Sequence, residues 1–102
     1  MNANQVFAAA KEIIIASHQA GGHKWAVVDD ANSLFNAITL MAIDRGLDEL
    51  IDDGKMSKKE YHSLIEEFFE IAGCKFICRK PIDFYLMKSE KLAVIKLVVA
   101  AI

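Results

Sequence analysis

Residues Leu47 to Phe69 read LDELIDDGKMSKKEYHSLIEEFF, and this stretch decides the fold of the chain. Gly54 follows apolar residues at helical spacing, at a position where a left-handed residue ends a helix. Ser57 and Glu60 then form the S-x-x-E capping box that starts another helix. Because only a few residues separate the two helices, the stretch predicts a helical hairpin whose helices lie against each other.

The second helix of this hairpin has two chemically different sides. Its apolar residues recur three and four positions apart, as in a helix that packs one side on a core. The apolar side comprises Tyr61, Leu64, Ile65, Phe68 and Phe69. The polar side comprises Lys58, Lys59, His62, Ser63, Glu66, Glu67 and Glu70. Gly73 is expected to end the helix.

Composition favours helices along the rest of the chain. The 102 residues include one proline and five glycines, too few for the many turns of a β-sandwich or barrel. The hydrophobic fraction of 54% is high enough for the chain to fold. We therefore predict a single helical domain over residues 1–102. Its predicted class is all-α, a compact bundle of four to five short helices that contains the helical hairpin.

Glycines and capping residues place the N-terminal helices. The first helix is expected from about Ala3 to Gln19, ahead of two glycines. The helix that enters the hairpin can be capped by Asp29, Asp30 or Asn32. Gly46 lies inside its apolar pattern, so this glycine either kinks the helix or is tolerated within it.

The C-terminal third is predicted to hold a connector and two helices. Cys74 to Lys80 form the connector, and a short helix follows over Pro81 to Met87. Ser89 with Glu90 can cap the last helix. Its sequence from Leu92 to Ile102, LAVIKLVVAAI, is apolar nearly all round. This segment is therefore either the central helix of the bundle, which the pattern favours, or an interface with another copy or another protein.

Charge is unevenly distributed, although the formal net charge is only −2. Between Asp29 and Glu70 there are eleven acidic residues and four basic ones, whereas from Lys75 onward six basic residues oppose two acidic ones. A chain of this kind can present an acidic face to a basic partner, or bring its two halves together. The small net charge gives no general reason to expect nucleic acid or an anionic membrane as the partner.

The sequence predicts a cytoplasmic protein without membrane contact. No secretory signal is visible, because Glu12 interrupts any apolar core near the N-terminus. The apolar segment from Leu92 to Ile102 contains Lys96 and is much shorter than the roughly 20 residues that span a bilayer.

Motifs for metal binding and catalysis are incomplete. The hairpin loop resembles a calcium loop, but Ile51 stands where an oxygen ligand is required. Cys74 and Cys78 form C-x3-C, which is not the usual spacing of a zinc knuckle, and no second cysteine pair exists. Phosphate loops and nucleophile elbows are also missing. We predict no enzyme activity, no catalytic residue, no metal, no cofactor and no small-molecule substrate.

Two kinds of partner remain open. A nucleic-acid-binding regulator would use a helix-turn-helix with Lys55, Lys58 and Lys59, or the basic C-terminal section. Against it, the same helix carries four glutamates that would oppose phosphates. The favoured prediction is a non-catalytic protein–protein interaction module, a small regulatory, inhibitory or accessory subunit that binds a partner protein or itself as a homodimer. The predicted partner-binding residues are Phe84, Tyr85, Leu92, Ile95, Val99 and Ile102, with Glu66, Glu67 and Glu70 as a second surface.

Overall fold

Four α-helices make up the fold in the computed structural model, which describes residues 1–21, 31–73 and 88–102. The helices are α1 (Ala3–Gly21), α2 (Ala31–Asp52), α3 (Lys58–Ala72) and α4 (Lys88–Ala101). The described residues contain no strand, and the all-α prediction is confirmed. The predicted connector and the predicted short helix over Pro81 to Met87 lie outside the described residues.

α1 begins with two reciprocal hydrogen bonds. The backbone N–H of Gln5 donates to Oδ1 of Asn2 at 2.9 Å, and the backbone N–H of Asn2 donates to Oε1 of Gln5 at 2.9 Å. This is a capping box in which asparagine and glutamine take the usual places of serine and glutamate. These bonds fix the start of α1 at the predicted residue.

α2 is the central helix of the bundle. It packs against α1, α3 and α4, and its residues from Ile38 to Asp44 are buried without interruption. A helix that is buried all round lies within the core. One hydrophobic cluster contains residues of all four helices. Of the two positions left open for the segment Leu92 to Ile102, the favoured central one is wrong, because Leu92 on α4 and Ile102 after it are exposed.

Asn32 joins α2 to α1 and does not cap α2. The helix begins at Ala31, so Asn32 lies within its first turn, and the other two predicted caps lie outside the described residues. Oδ1 of Asn32 accepts a hydrogen bond from Nζ of Lys11 at 2.6 Å. This bond connects the beginning of the central helix to the middle of α1.

Gly46 lets α4 approach the backbone of α2. α2 continues through this residue, so the glycine is tolerated within the helix. A Cβ atom at position 46 would lie 2.8 Å from Cβ of Val98 and 2.9 Å from its Cγ1 atom. Because such distances are well below van der Waals contact, the absence of a side chain at Gly46 is what allows Val98 to pack there.

The end of α2 has the hydrogen bonds of a Schellman motif. Gly54 has a φ angle of +72°, in the left-handed region that glycine adopts without steric cost. Its N–H donates to the carbonyl oxygen of Ile51 at 3.0 Å, and the N–H of Lys55 donates to that of Leu50 at 2.9 Å. These two bonds satisfy carbonyl groups that would otherwise have no partner in the helix.

The beginning of α3 carries the predicted capping box. Oγ of Ser57 accepts a hydrogen bond from the backbone N–H of Glu60 at 3.1 Å, and Oε1 of Glu60 accepts one from the backbone N–H of Ser57 at 3.4 Å. α3 ends at Gly73, whose φ angle is +69°. Both predicted ends of this helix are therefore observed.

The turn between α2 and α3 is too short for a calcium loop. A calcium loop of the EF-hand type needs twelve residues, whereas only residues 53–57 separate the two helices. Ile51 lies within α2, and the hydroxyl of Ser57 is engaged in the capping box. The turn therefore serves to reverse the chain.

Replacement of Ser57 by alanine is expected to lower the free energy of unfolding by about 1 kcal/mol, because the side-chain acceptor for the first turn of α3 is lost. Urea denaturation followed by circular dichroism measures the change. Ser63→Ala is the matched control, since Ser63 is exposed in the middle of α3 and alanine is the better helix former there. Equal stability of the Ser57→Ala variant and the wild type would contradict the contribution of the cap.

α3 packs on α2 through its apolar side. Tyr61, Ile65, Phe68 and Ala72 are buried, and every residue predicted on the polar side of this helix is exposed. The hydroxyl of Tyr61 donates a hydrogen bond to the buried carboxylate of Asp44 in α2. This bond provides a partner for a polar group inside the core, where an unpaired one would be costly.

Candidate protein-binding surface

α4 has a buried side and an apolar outer side. Glu90, Val94 and Val98, spaced four residues apart, are at most 3% exposed and face the rest of the bundle. Leu92 and Ile102 are 44% and 45% exposed. Among the described residues, the other large hydrophobic side chain with comparable exposure is that of the terminal Met1. Leu92 is therefore the exposed large hydrophobic residue of the described part that lies inside a helix, and Lys96 is exposed on the same outer side of α4.

Three residues of this outer side, together with Ile102 directly after α4, form a stripe. Leu92, Ile95, Val99 and Ile102 follow each other at intervals of three, four and three residues. This spacing places them on one face of a helix, and it is the spacing by which two helices pack together. Ile95 and Val99 are half-buried, whereas the residues at the two ends are exposed. We call these four residues the α4 stripe.

A hollow of about 490 Å³ lies between α2 and α4. We call it the α2–α4 hollow. Residues from the last turns of α2 form one wall, and Lys91 and Ile95 of α4 form the other. Its charged lining contains four acidic and two basic side chains, so the hollow has an excess of negative charge. The residues that line it are Arg45, Asp48, Glu49, Asp52, Asp53, Lys91 and Ile95.

A second hollow, of about 400 Å³, lies between α3 and the end of α4. We call it the α3–α4 hollow. Its lining contains the apolar residues Met56, Leu64 and Ile102, with two acidic side chains and one basic side chain. The polar residues of the lining are Lys59, Glu60, Ser63 and Glu67.

The two hollows open beside the same face of α4. Ile95 lines the first and Ile102 lines the second. These residues are seven positions apart, which is two helical turns, or about 10 Å along the axis. Asp53 lines the first hollow and Met56 the second, so the turn between α2 and α3 joins the two linings. Ile95 and Ile102 therefore connect the α4 stripe to the two hollows.

The structure places the predicted binding residues in three locations. Four of them form the α4 stripe. Glu67 lines the α3–α4 hollow, whereas Glu66 and Glu70 are exposed on α3 and line neither hollow. Phe84 and Tyr85 lie outside the described residues.

The acidic wall of the α2–α4 hollow is absent from the predicted binding residues. Asp48 and Asp52 lie four residues apart, and so do Glu49 and Asp53, so each pair shares one side of α2. This spacing is visible in the sequence as an acidic helix face. The sequence does not show that α4 lies beside that face, and this neighbour is what makes it the wall of a hollow.

Two buried polar contacts serve packing between helices. The hydroxyl of Ser17 in α1 donates a hydrogen bond to the carboxylate of Glu90 in α4, while Oε2 of Glu90 is buried without a partner. The second contact is the hydrogen bond between Tyr61 and Asp44. None of these residues lines either hollow, so the carboxylates are not placed to act on a ligand there.

The described part of the chain shows neither a metal cluster nor a membrane span. No group of three or more histidine, cysteine or acidic side chains is arranged there to hold a metal ion. Cys74, Cys78 and His23 lie outside the described residues. None of the described helices is both long and apolar enough to cross a membrane.

Comparison with protein families, with characterised proteins and with solved structures found no match to this chain.

Proposed function

We propose that this protein is a non-catalytic protein–protein interaction module whose binding surface is the α4 stripe with its two flanking hollows. The observation that carries the proposal is the exposure of Leu92 on α4, and of Ile102 directly after this helix, although α4 already packs its other side on the core. Exposed apolar surface of this kind favours association, since water is released when a partner covers it.

The shape of the surface also supports a macromolecular partner. Both hollows are open, and they lie along about three turns of one helix, as expected for a surface that receives another chain. Acidic side chains border both of them. Nucleic acid is disfavoured on this surface because its phosphates would face those carboxylates. In this proposal the chain acts as a small regulatory, inhibitory or accessory subunit.

Affinity capture from an extract of the cells that produce the protein tests this proposal. The wild type is expected to capture a protein that the double variant Leu92→Glu/Ile102→Glu does not, because two carboxylates would then have to be buried in the interface. Both replaced side chains are exposed, so the variant is expected to keep the helical circular dichroism spectrum of the wild type.

Glu12→Lys is the control for this capture, since Glu12 is exposed on α1 and lines neither hollow. This variant is expected to capture the same protein as the wild type. If every captured protein is retained by Leu92→Glu/Ile102→Glu, the α4 stripe is not the binding surface.

A further inference from the structure

We propose that the occupant of the α4 stripe and its hollows is one amphipathic helix of a partner protein, with an apolar side and basic flanks. This inference rests on the proposed function and names the chemistry of the partner. It follows from the spacing of the stripe and from the charges that border it.

The spacing of the α4 stripe fits a helix. Intervals of three, four and three residues keep the apolar contacts of two packed helices in register over several turns. From Leu92 to Ile102 the stripe extends about 15 Å along the axis of α4. The α3–α4 hollow has Met56, Leu64 and Ile102 in its lining, so an apolar anchor side chain of a partner helix would enter it. The charged lining of the α2–α4 hollow would instead receive a basic side chain about two turns away.

The charges around the stripe fit a basic helix. The two hollows together present six acidic side chains and three basic ones. Lys96 is exposed on α4 beside Leu92, on the flank away from the hollows. Glu49, Asp52 and Asp53 at the first hollow are exposed, and so are Glu60 and Glu67 at the second. A partner helix lying on the stripe would place the flank that faces the hollows next to these carboxylates. Lysine or arginine at those flanks would bind faster and more tightly than neutral or acidic residues.

The same charges disfavour a second copy of this chain as the occupant. In a symmetric dimer through α4, each copy would present the same acidic borders to the other. Like charges placed opposite each other across an interface cost free energy. The acidic excess therefore favours a different, basic partner.

Three synthetic peptides of about 18 residues, or about five helical turns, test this inference. They share a leucine stripe at the three-four spacing and carry lysine, glutamine or glutamate at the flanking positions. Fluorescence anisotropy measures their binding to the full chain at low salt. We expect the lysine peptide to bind about tenfold more tightly than the glutamine peptide, and the glutamate peptide to bind least. Added salt is expected to reduce this preference.

Variants of the protein locate the binding. Asp52→Asn/Asp53→Asn is expected to weaken binding of the lysine peptide several-fold and to leave binding of the glutamine peptide unchanged. Only the charge beside the hollow is removed in this variant. Glu12→Gln, at an exposed residue of α1 that lines neither hollow, is expected to change the binding of neither peptide. Leu92→Glu/Ile102→Glu is expected to abolish binding of the glutamine peptide. A lysine peptide of the same composition with a scrambled stripe controls for attraction by charge alone.

The outcomes separate the two proposals. Equal binding of the lysine and glutamate peptides would overturn the proposal that the partner helix is basic. Loss of capture in Leu92→Glu/Ile102→Glu would still support the protein-binding function. Equal binding of the scrambled peptide, or no peptide binding, overturns docking of a basic helix on the stripe. A wild-type dimer in sedimentation velocity that becomes a monomer in Leu92→Glu/Ile102→Glu would identify a second copy as the occupant instead.

Discussion

Replacement of Phe68 by alanine is expected to lower the free energy of unfolding by about 3–5 kcal/mol. Phe68 is completely buried, and among the described residues it is the largest side chain that is. Its removal would lose the favourable free energy of transferring an aromatic ring from water to the core. It would also leave a cavity between α3 and the rest of the core. Since small domains are stable by about 5–15 kcal/mol, this single change would remove a large part of the total.

Phe69→Ala is the matched control, because it removes the same side chain from the next position of the same helix. Phe69 is half-buried, so its loss is expected to cost about half as much as that of Phe68. Chemical denaturation followed by circular dichroism gives both values. An equal loss in the two variants would contradict the orientation of α3 on the core.

Replacement of Gly46 by valine is expected to lower the free energy of unfolding by about 3 kcal/mol. The new side chain would occupy the place of Val98, whose Cβ lies 2.8 Å from the position of a Cβ on residue 46. α2 and α4 would have to move apart, and the core contacts between them would weaken. Thermal unfolding of the variant, compared with that of the wild type, measures the effect.

Gly46→Ala is a sharper test of this packing, because the sign of the change in the free energy of unfolding depends on whether α4 lies against residue 46. Alanine in place of glycine usually stabilises a helix by up to about 1 kcal/mol. Here a loss of about 1–2 kcal/mol is expected, because the single added carbon already overlaps with Val98. In a double-mutant cycle with Val98→Ala, the combined loss is expected to be smaller than the sum of the single losses. A more stable Gly46→Ala variant would show that α4 does not lie against this glycine.

The residues of the α4 stripe can be predicted from the sequence. The position of α4 in the bundle cannot. Leu92 and Ile102 stand out because the last segment is apolar beyond what one buried side needs. The sequence favours the centre of the bundle for this segment, whereas the centre belongs to α2. Apolar residues all round a helix are compatible with both positions, and only the packing of neighbouring helices distinguishes them.

The sequence by itself determined the features that depend on neighbouring residues. A glycine at a left-handed φ angle and a serine with a glutamate three positions later fix the turn between α2 and α3, because their hydrogen bonds form within one turn of chain. The division of α3 into an apolar and a polar side follows in the same way from helical periodicity.

Tertiary structure alone decided what depends on contacts between distant parts of the chain. It placed Val98 on Gly46, buried Phe68 more completely than Phe69, and set α4 beside the acidic end of α2. Local patterns cannot supply such contacts, because side chains on different helices meet only after the helices have packed. The spacing of residues therefore determines the helices, and the packing of those helices determines which apolar side of α4 stays exposed.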